Sequence, residues 1–114
     1  MKFEKIQKEG VVVFRLKEKK IDSPLAPELK KELLTAVVHD SPNIIVDMSS
    51  VTYVDSSGLG ALLFGLRQAN RYRGNLVLLN PQPRVQKLIE IAHLSRALAV
   101  FEDEQTAIGV LRSE

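Results

Sequence analysis

A single α/β domain on a mixed, mostly parallel β-sheet is the fold class this sequence predicts, and three observations predict it. Short apolar runs, VVVF (11–14), NIIVDM (43–48), NLVLLN (75–80) and ALAVF (97–101), have the length and branched-residue content of buried strands. Between them lie segments whose apolar residues recur at helical spacing. The chain has 114 residues, the size of one domain and enough to bury a core without covalent or metal staples. Alternation of strands with helices argues for parallel pairing, in the order β-β-α-β-α-β-α-β-α over residues 1–114.

Each element has its own local reason. FEKIQKEGVVVFRL predicts two strands joined at Glu9-Gly10, the first half-buried through Phe3, Lys5 and Gln7, the second more fully buried. In IDSPLAPELKKELLTAVVHD, Asp22 or Ser23 can cap a helix, and Pro24 suits its first turn. Leu29, Leu33, Ala36 and Val37 form its inner stripe, and Pro27 is tolerable only if the helix has barely begun. After NIIVDM, the residues Leu59, Leu62, Leu63, Leu66 and Ala69 mark a second helix, which Gly74 ends. NLVLLN is a strand, and PQPRVQKLIEIAHL a helix with Val85, Leu88, Ile89 and Ala92 inward. ALAVF is a last strand and DEQTAIGVLRS a last, weaker helix.

Composition removes several function classes. With no cysteine, disulfides, thiolate catalysis and thiolate zinc sites are excluded. The first residues, MKFEKIQKEG, lack the apolar centre of a signal peptide, and no stretch approaches a membrane span, so the cytoplasm is the expected compartment. The formal charge is +2, and the two basic concentrations, KEKK (17–20) and RQANRYR (67–73), lack the interleaved aromatics of a single-strand binder. Nucleic acid is not the expected partner.

The chemistry concentrates in YVDSSGLGALL (53–63), where Asp55-Ser56-Ser57-Gly58 stands at the mouth of the second helix. A nucleophile elbow needs glycine two residues to either side of its serine, and neither Ser56 nor Ser57 has that pair. Gly60 and Gly65 have the spacing of a phosphate loop, but Leu66-Arg67 stands where its Lys and Ser/Thr belong; a G-x-G-x-x-G from Gly58 fails at Leu63. His39 and His93 fall at helix ends, and Asp47 and Asp55 are too few for a magnesium site. No catalytic, metal or cofactor residue is therefore expected. The segment follows a central strand, at the carboxyl edge where open α/β sheets present functional groups. Ser56 acting as a helix cap is the plain alternative. Yet Gly58 and Gly60 each cost a helix roughly 1 kcal/mol against alanine, which points to bare backbone that something approaches closely. Phe64 lies off the inner stripe beside Gly60 and Ala61; a tertiary contact or an apolar docking patch would each account for it.

These residues resemble the STAS domains, and among them the single-domain anti-sigma factor antagonists of bacteria. VDMSSVTYVDSSGLGALL is similar to the family's strand, loop and D-S-S/T-G-L-G signature. RGNLVLLNPQPRVQKLIEIAHL is similar to its following strand and helix, and IDSPLAPELKKEL to its first helix with an aspartate at the opening. The resemblance implies a phosphorylatable regulator that binds an anti-sigma factor serine kinase, frees the sigma factor, and is restored by a serine phosphatase. It implies Ser56 as the phosphate acceptor, with Asp22, Ser23, Asp55, Ser57, Gly58, Gly60 and Phe64 on the partner-binding surface. Ser57 is expected one residue into the helix with its hydroxyl toward the backbone. An alternative within the family is a subunit of a membrane-associated transport complex that is never phosphorylated. Two departures accompany the match: the loop KEKKI lacks the family's glycine, and Pro24 and Pro27 crowd the helix start.

Overall fold

In the computed structural model, which describes Met1–Ser113, the strands are β1 (Phe3–Lys8), β2 (Val11–Leu16), β3 (Lys20–Ile21), β4 (Asn43–Asp47), β5 (Tyr53–Val54), β6 (Asn75–Leu79) and β7 (Val100–Phe101). The helices are α1 (Ala26–Thr35), α2 (Ser56–Arg71), α3 (Pro83–Ile91) and α4 (Glu104–Arg112). A five-stranded sheet runs β1-β2-β4-β6-β7, with β1 antiparallel to β2 and every other pair parallel. The fold class is the predicted one. A second, two-stranded sheet pairs β3 with β5 in parallel. The sequence did not predict it, because two residues are too few for a period to register.

Alternation along the strands divides the interior in two. Val12, Phe14, Ile44, Val46, Leu76 and Leu78 face α1, α2 and α3, whereas Val11, Val13, Ile45, Val77 and Leu79 face α4. Burying side chains of this size stabilises by about 1.5–3 kcal/mol each, so both faces are held chiefly by apolar contact. On the α4 face an ion cluster adds to it. The Arg15 guanidinium lies 3.0 Å from Asp47 and 2.7 Å from Glu104, and Lys8 reaches Glu104 at 2.9 Å. Hydrogen bonds from Arg15, then Lys8, hold the Glu104 carboxyl below its ordinary value. Stability from that cluster is therefore present above the ordinary glutamate range and is lost as pH falls through the lowered value.

Several local expectations are corrected. Asp22 and Ser23 do not cap α1. A turn comes first, in which Leu25 and Ala26 donate backbone hydrogen bonds to the Asp22 carbonyl, and α1 starts behind Leu25 without a side-chain cap. Pro27 then occupies the first helical turn, where its missing N–H has no partner to lose; Pro24 stays in the preceding turn. The helix runs on into a π turn, Ala36–Asp40, which keeps Ala36 and Val37 buried. In β1, an edge strand, each face has one apolar anchor: Phe3 stacks on Phe14 with centroids 4.6 Å apart, and Ile6 packs on the α4 side. Lys5 and Gln7 are exposed. Ala92 lies past the end of α3 and is exposed, and the last strand shrinks to Val100–Phe101. At the end of α2 the left-handed residue is Arg73 (φ 68°), not Gly74. Gly74 is required instead by space, since a Cβ there would strike the Pro42 carbonyl.

Candidate functional site at the start of α2

The N-terminus of α2 lies beyond the carboxyl end of β4, reached through β5, and Asp55 builds it. Its backbone is extended (φ −93°, ψ −177°), so it stands outside the helix as the N-cap. One carboxylate oxygen accepts from the Gly58 N–H at 2.8 Å, and the other accepts from the Ser23 N–H at 3.0 Å. The Asp55 N–H donates to the Ile21 carbonyl at 3.2 Å, and its carbonyl accepts from Leu59 at 2.9 Å. A single residue thus ties the start of α2 to the segment leading into α1. The cap is Asp55, and Ser56 is free of that task. An aspartate three residues before a helical N–H is a cap signature visible in the sequence, so this assignment was available there.

Ser56 and Ser57 are the first two residues of the helix and both are exposed. Among the described residues neither hydroxyl makes a hydrogen bond, so the expected turn of the Ser57 hydroxyl toward the backbone is not seen. Of the donors at this terminus, those of Asp55, Gly58 and Leu59 are engaged, which leaves the Ser56 and Ser57 N–H groups for solvent or an anion.

The two glycines of the motif have opposite surroundings. Gly58 is buried, and a Cβ there would overlap the Ile21 carbonyl. What approaches that bare backbone is the protein's own β3 segment, so Gly58 serves the assembly of the site and presents no free contact surface. A Cβ at Gly60 would meet nothing within 4 Å. One turn further, Phe64 is half-buried, with the Lys30 ammonium 5.8 Å from its ring centroid. Ala61, grouped with Phe64 in sequence, is fully buried. Ser23, Asp55, Ser56, Ser57 and Gly58 therefore come together, with half-buried Asp22 beside them, while Gly60 and Phe64 extend the surface along α2. Lys30 and the β3–β5 pairing were not anticipated; the first is one of two adjacent lysines on α1, and nothing in the sequence singles it out.

His39 lies in the π turn and His93 beyond α3. Among the described residues no group of three or more His, Cys, Asp or Glu side chains comes together to hold a metal ion. No helix among them is long and apolar enough to cross a membrane.

The chain is similar to known proteins. The anti-sigma-B factor antagonist of Listeria monocytogenes is 30% identical over 80 residues, covering 70% of each chain. The anti-sigma F factor antagonist of Lysinibacillus sphaericus is 24% identical over 103 residues, covering 90% of this chain and 86% of its own. The anti-sigma factor antagonist SpoIIAA in its unphosphorylated form superposes with a TM-score of 0.81 at 26% identity, over 99% of this chain and 98% of its own. The phosphorylated form of SpoIIAA, a Bacillus cell fate determinant, superposes with a TM-score of 0.72 at 25% identity, over 99% of this chain and 100% of its own. Residues 2–107 match the family defined as the STAS domain, and the chain belongs to that family.

Proposed function

We propose that this protein is an anti-sigma factor antagonist. It binds an anti-sigma factor serine kinase through the surface around Ser56 and is released when that kinase phosphorylates Ser56. The observation that carries the reading is the division of labour between two adjacent residues: Asp55 caps α2, so the exposed Ser56 hydroxyl has no structural duty. A phosphate there adds about −1.5 to −2 charges beside the open N–H groups at a helix terminus, which favour an anion. The fold therefore keeps its stability. A partner surface shaped for a neutral hydroxyl next to Asp55 instead meets a doubly charged group, and affinity falls by orders of magnitude for a loss of several kcal/mol. A serine phosphatase would reverse the change, and the cytoplasm is where such an exchange would take place. The named relatives and the two forms of SpoIIAA support this reading by likeness.

The test is incubation with a kinase-type anti-sigma factor and ATP, followed by mass spectrometry of the peptide spanning Ser56 and Ser57. One phosphate on Ser56, absent in Ser56→Ala, is the expected result. Phosphate chiefly on Ser57, or none with a kinase that binds the chain, overturns the assignment.

A further inference from the structure

A second surface lies on the other side of β5. Between β5 and α3 there is a groove of about 300 Å³, lined by apolar Tyr53, Val54, Leu88 and Ile91 and flanked by Arg84 and Lys87. Among the described residues no carboxylate lines it. On α3, Arg84, Lys87, Leu88 and Ile91 recur at three and four residues along the groove, buried Val85 lies at its floor, and Ile89 turns into the core. The one acid of α3, Glu90, does not line the groove; it lies beside Gln86 and Ser95 and on the far side of Lys87. Ile91 is 65% exposed and Tyr53 is 46% exposed, so large apolar groups stand in water at the rim.

We propose that this groove docks an acidic amphipathic helix of a partner protein, its aliphatic stripe seated between β5 and α3 and its carboxylates on Arg84 and Lys87. The charge pattern selects the partner, because two cations on a groove that no described carboxylate lines favour Asp or Glu flanking the apolar stripe. The shape argues in the same direction. The groove between β5 and α3 accepts projecting side chains between its two exposed rim residues, Tyr53 and Ile91. Val54 lines the groove and the next residue caps α2, so a helix seated here lies beside the Ser56 surface without covering the same residues.

The experiment titrates the isotope-labelled full chain with a panel of acetylated peptides of roughly twelve residues, their Leu/Ile stripe flanked by Glu and varied in spacing. A matched panel carries Lys in place of Glu. Shifts of the Val54, Leu88 and Ile91 amides by Glu-flanked peptides are expected. Arg84→Glu/Lys87→Glu and, separately, Ile91→Ser should each weaken binding by about ten-fold or more, as anchors at the centre of a contact do. All three side chains are exposed, so circular dichroism of the variants should match the parent. Equal binding of the Lys-flanked panel overturns the proposal, as does failure of every Glu-flanked peptide to bind. It is likewise overturned if decanoate alone reproduces the shifts, if phosphatidylserine vesicles bind where the peptides do not, or if sedimentation shows the groove occupied by a second copy of the chain.

Discussion

Gly58 and Gly60 are two residues apart on α2, and they answer different questions. Against Gly58 the backbone of β3 closes so tightly that no side chain fits. Around Gly60 there is open space, and no contact within the chain asks for a glycine. The inner edge of α2 is accounted for by the fold: Gly58, Leu62, Leu66 and Ala69 are buried and set how near the helix lies to β3 and the sheet. The outer edge, from Ser56 through Gly60 to Phe64, carries a helix-weakening glycine that packing does not require and a half-buried ring whose exposed face meets Lys30. A residue that costs stability without serving the packing is what the proposed contact surface would account for.

That contrast can be broken by substitution, and the largest effect is expected at Gly58. Gly58→Ala forces β3 and α2 apart and should destabilise by about 3 kcal/mol, read from urea unfolding. An unfolding curve like the parent's would show that the seam can relax, and the division between the two edges would fail. Asp55→Ala removes both the cap and the bond to Ser23, and a loss of about 1–2 kcal/mol is expected. If amide exchange in the 22–25 turn stays unchanged in that variant, Asp55 does not tie the two segments together.

At Gly60 the sign reverses. Gly60→Ala should stabilise by about 0.5–1 kcal/mol, because the site is open and alanine is the better helix former. Gly60→Arg should fold equally well and yet lose its affinity for the anti-sigma kinase through steric exclusion. Retained affinity would remove this edge from the contact surface. The smallest effect belongs to Ser56→Asp. A carboxylate at an exposed helix start is favourable by about 0.3–1 kcal/mol, so the thermal midpoint should hold or rise slightly while kinase binding is lost. A midpoint lowered by many degrees would make Ser56 a structural residue first.

Much of this was legible in the chain, for reasons particular residues make plain. Ile44-Ile45-Val46 and Leu76-Val77-Leu78 are apolar on both faces of the sheet, and only strands covered on both sides have that composition. The D-S-S-G segment marked the candidate site, since it combined a cap former, free hydroxyls and glycines at one helix start. The roles within it were less legible. Whether Asp55 or Ser56 caps depends on where the helix begins, and a one-residue shift exchanges them. Whether a glycine is pressed or open depends on Ile21, remote in sequence and brought in by the β3–β5 pair. Pro24 and Pro27 each satisfy the rule for a first turn, and only the turn anchored on the Asp22 carbonyl decides for Pro27.

The separate interior beneath α4 also governs how the molecule opens. Ala107, Ile108 and Leu111 are all that α4 contributes to that interior, together with the Glu104 ion pairs and an Asp103 cap on Thr106. The other three helices share a larger and continuous interior. Detachment of α4 breaks few contacts and leaves that interior whole, so α4 is the unit expected to open first below global unfolding. Its amides should exchange sooner than those of α2. The surface uncovered would be Val11, Val13, Ile45, Val77 and Leu79, five apolar side chains on a sheet whose strands are already paired. Such a transient face has the character of an aggregation nucleus, and the Glu104 cluster, which weakens in acid, adds to the apolar contacts that keep it shut.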